Sequence, residues 1–167
     1  MPGQRCQPTR RALPALFGAA GLLALAGSLA GMPGWAATTE QVVADHRGIA
    51  IDGHDPVAYF VDGAPRLGKG EFEHTFAGVV WRFRNPGNRG AFIANPEVYM
   101  PRFGGYDPVA VSREVAVPGD PRLWAIAEKR LYLFYTADAL KTFAADSSRI
   151  VAAAEKNWAT VLRTLAP

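Results

Sequence analysis

The sequence predicts an α+β fold: a small antiparallel sheet built from short hairpins, with a short helix after the first hairpin and an amphipathic helix at the C-terminus. Three observations predict it. Two pairs of short alternating segments each flank a tight turn, Asp or Asn stands before Pro at five places, and the last thirty or so residues carry apolar side chains at helical spacing. A short polar side chain before Pro caps helices and starts turns, so the elements should be short and sharply bounded at Asp55-Pro56, Asn85-Pro86, Asn95-Pro96, Asp107-Pro108 and Asp120-Pro121.

In chain order, Glu71 to Phe76 alternates apolar and polar residues, and Val79 to Phe83 does so again after Ala77-Gly78, which reads as a hairpin. Asn85 with Pro86 then starts a helix whose apolar side carries Phe92 and Ile93 and which closes at Asn95-Pro96. Leu123 to Ile126 and Leu131 to Tyr135 form a second strand pair across Glu128-Lys129-Arg130. The last segment is apolar on both faces and belongs at the centre. Beyond Tyr135 the pattern is helical. Ser147 or Ser148 caps a run in which Ile150, Ala154, Trp158 and Leu162 recur at fours, with Val151, Val161 and Leu165 beside them, a stripe wide enough to pack on a core.

The N-terminal stretch stands apart. Arg5, Arg10 and Arg11 precede an uncharged run from Ala12 to Thr39 rich in Leu, Ala and Gly, and the small residues Gly34 and Ala36 suit a cleavage site, so the mature chain is expected to begin near Ala37. Thr9-Arg10-Arg11-Ala12-Leu13 resembles a twin-arginine export signal. The alternative is an uncleaved anchor, since the run is long enough to span a bilayer. The expected location is periplasmic or extracellular, by this route or the general secretory one, with membrane contact only through this segment if it is retained. The expected organisation is an export signal over 1–36, a polar segment over 37–47, a domain over 48–135 and a helical extension over 136–167 packed on it.

Export alters the composition. The formal charge of +3 rests on the three signal arginines, and without them 15 basic residues face 15 acidic ones. A neutral domain offers nucleic acid no electrostatic footprint. Cys6, the sole cysteine, leaves with the signal, so the mature chain has no disulfide, thiolate ligand or thiol nucleophile.

Gly53-His54-Asp55-Pro56-Val57-Ala58 and Gly105-Tyr106-Asp107-Pro108-Val109-Ala110 share the string Gly-x-Asp-Pro-Val-Ala. A duplication would extend the match at a period of 52, yet Tyr59 to Gly63 shows no kinship with Val111 to Val115. The expectation is therefore convergence on one turn chemistry and not a repeat.

Gly53 to Phe60, Trp81-Arg82-Phe83, Asn88, Phe92, Asn95-Pro96-Glu97-x-Tyr99-x-Pro101, Phe103-Gly104-Gly105-Tyr106, Trp124 and Leu131-Tyr132-Leu133 together resemble the exported branch of the YHS-domain family, over about Gly48 to Trp158. The resemblance implies a small α+β domain of undefined biochemistry, suspected in the wider family of binding metal through cysteines. The matching positions here are Ala58, Arg84 and Asn88, and Asp107 stands where the exported branch carries Cys or selenocysteine after Gly-Gly-Tyr. Every sulfur or selenium donor the resemblance would supply is replaced.

The remaining donors are nitrogen and oxygen. A ligand pocket is expected near Gly104, Gly105, Tyr106 and Asp107 with Tyr59 and His54 as neighbours, the glycines letting backbone approach a ligand. His54, His74 and Asp107 are the candidate ligands of a divalent metal ion, the cofactor being otherwise open; His46 lies in the preceding polar segment. Each also has a plain reading: Asp107 as a turn cap before Pro108, and His74 as a polar-face residue of a strand near Glu71 and Glu73. Ser112, His54 and Asp107 make a triad on paper only, without a nucleophile elbow, and Gly68-Lys69-Gly70 lacks phosphate-loop spacing. The expected function is a non-catalytic module binding a small ligand or metal ion; the alternatives are a structural or protein-interaction module with a decayed site, and a metal-dependent or redox enzyme.

Overall fold

The computed structural model describes residues 41–165. The export-signal reading and Cys6 lie outside the described residues. The fold is α+β, in the order α1 (Ala58–Val61), β1 (Lys69–Phe76), β2 (Val79–Phe83), α2 (Pro86–Ala94), α3 (Pro96–Tyr99), α4 (Pro108–Val111), β3 (Asp120–Ala127), β4 (Arg130–Phe134), α5 (Ala137–Ala145) and α6 (Ser147–Leu165), with tight helical turns at Ile51–Gly53 and Arg102–Gly105. The one small sheet expected is two separate antiparallel hairpins, β1-β2 and β3-β4.

Those hairpins are superimposable in register. β1-β2 pairs Lys69 with Phe83, then, after a bulge, Glu73 with Arg82 through Phe76 with Val79; β3-β4 pairs Asp120 with Phe134, then Trp124 with Leu133 through Ala127 with Arg130, each position displaced by the same step along the chain. The agreement extends well beyond the strands. Ile51, Asp52 and Gly53 all have positive φ, as do Phe103, Gly104 and Gly105. Gly68 N donates to Gly53 O at 2.8 Å, and Gly119 N donates to Gly105 O at 3.0 Å. Asn85 and Thr136 cap α2 and α5. Phe92 packs on Trp81 and Phe83 at centroid distances of 5.0 and 5.2 Å, as Phe143 packs on Tyr132 and Phe134 at 4.9 and 5.0 Å.

The reading of the two Gly-x-Asp-Pro strings as convergence is thereby corrected: they open two copies of one structural unit. The period is what concealed it. Gly53 matches Gly105 but Gly68 matches Gly119, because the loop after the first turn is one residue longer, and a comparison at a constant 52 loses the match there. What the copies share afterwards is caps, bulges, core aromatics and the close-approach glycines. Gly119 is fixed by contact, since a Cβ there would stand 2.6 Å from Leu133 Cβ and 2.9 Å from Gly105 O; at Gly68 a Cβ would fall on the backbone of Arg82.

The core has two clusters. One gathers Ile51, Val57, Tyr59, Trp81, Phe83, Phe92, Leu131 and Leu133. The other gathers Phe103, Tyr106, Val109, Val111, Tyr132, Phe134, Phe143, Ile150, Ala154 and Val161. Strand β4 serves both, as alternate side chains leave a strand on opposite faces. Helix α5 completes the second copy, and α6 lays its stripe on α4, with Trp158 against Phe103 and Tyr106 at 5.6 and 6.0 Å. Among the described residues, no helix is long and apolar enough to cross a membrane.

Candidate functional site

The two copies meet at a cleft of about 510 Å³. Asp52, His54 and Leu67 come from the first copy; Pro118, Gly119, Asp120, Pro121, Arg122 and Tyr135 come from the second. Asp52 and His54 are held by the turn at Ile51–Gly53, where Asp52 has φ of 51° and the β-branched Ile51 a φ of 42°, a conformation that such a side chain rarely accepts. Burial of Ile51 in the first core cluster holds the turn in place.

His54 Nδ1 lies 3.1 Å from Ile51 O. A carbonyl only accepts, so Nδ1 carries the proton and Nε2 is left as the acceptor of the neutral ring. Opposite, Asp120 is clasped by Arg122: Nε donates at 3.0 Å, Nη2 at 2.7 Å and the Arg122 amide at 2.9 Å. The Arg122 hydrogen bonds hold the Asp120 carboxyl below the usual carboxylate range. Leu67 and Tyr135 are 65% and 62% exposed, two large side chains from different copies left on the walls of one cleft.

Beneath the cleft lies Tyr59, buried, its hydroxyl donating to Pro121 O at 2.8 Å. Burial pushes this phenol well above its usual range, and the negative charges of Asp120, Asp55 and Asp52 add to the effect. Tyr59 supports the cleft from within and presents no group to it.

Of the residues expected to form a site, only His54 lines the cleft. Asp107 is buried, with Oδ1 accepting from Val109 N at 2.8 Å and Oδ2 from Tyr135 N at 2.9 Å, so both oxygens are committed to backbone. It reaches the cleft only by fixing the amide of Tyr135. Gly104 is packed against the backbone of Gln41 and Val42, and its carbonyl accepts from Val43 N at 2.8 Å; the approach foreseen for a ligand is taken by the chain's own segment. Gly105 is buried against Pro101, Ile51 and Leu133, and Tyr106 under Trp158. His74 sits on β1 beside Phe92, ring centroids 6.4 Å apart.

The metal set His54, His74 and Asp107 is corrected accordingly: among the described residues, no group of three or more His, Cys, Asp or Glu is placed to hold a metal ion. The paper triad fails in the same way, because Ser112 Oγ donates to Val109 O at 2.8 Å while His54 and Asp107 are engaged with backbone. Asp55 is the counterpart of Asp107, with Oδ1 accepting from Val57 N at 2.9 Å and Oδ2 from Arg84 N at 2.8 Å and Asn88 Nδ2 at 2.6 Å. Two of the positions where the resemblance would place cysteines, 84 and 88, thus converge on one buried carboxylate.

Sequence reasoning missed Asp52, Leu67, Asp120, Arg122 and Tyr135. Asp120-Pro121-Arg122 was visible as a turn, and the signal in it was the Arg two residues after the Asp, the spacing at which an Asp side chain accepts from the backbone amide. No family model matches this chain, and neither does any curated protein or solved structure.

Proposed function

We propose that the chain is an exported, YHS-like, non-catalytic module that binds a small polar ligand in the cleft between its two copies. One observation carries the reading: this cleft has hydrogen-bonding groups on its lining, whereas the equivalent place in the second copy, at Tyr106, is covered by Trp158. Concave sites with an apolar wall and a few convergent polar groups are where small ligands bind. Among the described residues, every buried side-chain N and O has a hydrogen-bond partner.

The test is native mass spectrometry of the full chain recovered from the exporting compartment, followed by amide chemical-shift mapping with a set of small polar fragments. The expected result is an N-terminus at Ala37 and fragment shifts that cluster at Asp52, His54, Asp120 and Tyr135. Shifts confined to other surfaces, or none from the whole set, would favour the alternative of a protein-interaction module without a site.

A further inference from the structure

The charge balance of the cleft selects a class of ligand, on the reading that the cleft is a binding site. Its lining holds two carboxylates, Asp52 and Asp120, against one guanidinium, Arg122, and that guanidinium is already paired with Asp120 at 2.7 Å. The Asp52 carboxylate and the His54 Nε2 acceptor therefore remain as the groups that seek a donor. Neither attracts an anion. Above them stand Leu67 and the Tyr135 ring, apolar surface whose exposure costs free energy and whose π face favours a cation.

We propose that the cleft binds a small organic cation, an ammonium group on a short apolar or aromatic body, with the ammonium held by the Asp52 carboxylate and His54 Nε2 and the body between Leu67 and Tyr135. The underlying field agrees in sign: Asp52, Asp55 and Asp120 all act as negative charges on the Tyr59 phenol below. The internal repeat agrees as well. The counterpart of Asp52 is Gly104 and that of His54 is Tyr106, so the second copy carries neither acceptor and its place is closed by α6.

Three probes with one aromatic body and different heads test this: phenethylamine, phenethyl alcohol and hydrocinnamate, titrated into the full chain at mildly alkaline pH and followed by amide chemical shifts. Phenethylamine should saturate the shifts of Asp52, His54, Asp120 and Tyr135 with a Kd about fivefold below that of the alcohol, the upper range for an exposed ion pair, and hydrocinnamate should bind most weakly. Asp52→Asn tolerates the positive φ and keeps the fold, so it should abolish the preference for the amine over the alcohol, weakening the amine more than the alcohol. Equal binding of the three heads, preference for hydrocinnamate, or an Asp52→Asn variant without effect overturns the assignment of a cation while leaving the cleft a binding site. Absence of cleft shifts with all three probes overturns it too, and the fragment mapping then decides the wider reading separately.

Discussion

Asp107 and Asp55 each join three pieces of chain with one buried carboxylate: the turn they sit in, the short helix that follows, and the residue after the hairpin. Asp107→Ala should strand the amides of Val109 and Tyr135 in the interior and cost about 3 kcal/mol, seen as a lower urea midpoint. Asp107→Asn should cost roughly half of that, since Oδ1 still accepts from Val109 while the amide nitrogen meets the Tyr135 N–H as donor against donor. Asp45 makes a pH-dependent contribution: hydrogen bonds from the Ile49 amide, aided by Arg47, hold it down to about 2. A depressed carboxylate stabilises the fold above its unfolded value, about 3.9, and loses that contribution as pH falls through the folded one. The acid limb of the stability profile should therefore flatten between about pH 4 and pH 2 in Asp45→Asn. At this scale the sequence was half legible: Asp before Pro announces a cap, but whether the second oxygen faces solvent, ligand or a distant amide depends on chain that arrives 28 residues later.

Helices α2 and α5 begin alike, on an Asn85 side chain accepting from Asn88 N at 2.8 Å and a Thr136 side chain accepting from Ala139 N at 3.1 Å. Asn85→Ala and Thr136→Ala should each lower stability by about 1 kcal/mol, with the double variant close to additive because the caps belong to different hairpin units. Thermal unfolding of the four chains checks both statements. Elements were the most legible scale. Alternation located β1-β2 and β3-β4 within about three residues, Asn85-Pro86 and Asn95-Pro96 bracketed α2, and the fours pattern gave α6, which begins at Ser147. The bulges after Lys69 and Asp120 were not legible, nor were the single-turn helices α1, α3 and α4, because one turn of helix has no period to read and a bulge is set by the partner strand. Thr136 was passed over because a Thr cap without a following Pro resembles any loop residue.

For the molecule as a whole, the decisive element is β4, whose apolar residues on both faces were legible as a central strand and whose two faces enter different clusters: Leu131 and Leu133 the first, Tyr132 and Phe134 the second. The internal repeat was not legible, because a one-residue difference in loop length breaks the period and the copies agree in caps and packing more than in residue identity. The consequence is mechanical coupling. Two copies with separate cores would unfold independently, as neighbouring units can, but removing β4 from one cluster removes it from the other. Leu133→Ala leaves a hole in the first cluster and removes the Cδ1 that packs at Gly105 of the second copy, a loss of about 3 kcal/mol for a buried Leu. Trp81 and Trp124 sit at the first cluster and Trp158 at the second, so tryptophan replacements allow each to be followed alone. The wild-type chain and Leu133→Ala should each show one denaturant transition, coincident for Trp81, Trp124 and Trp158 and for far-UV circular dichroism. If Trp158 reported a transition apart from Trp81 in either protein, the shared strand would not be what unites the copies, and the cleft between them would have to be held by its own contacts.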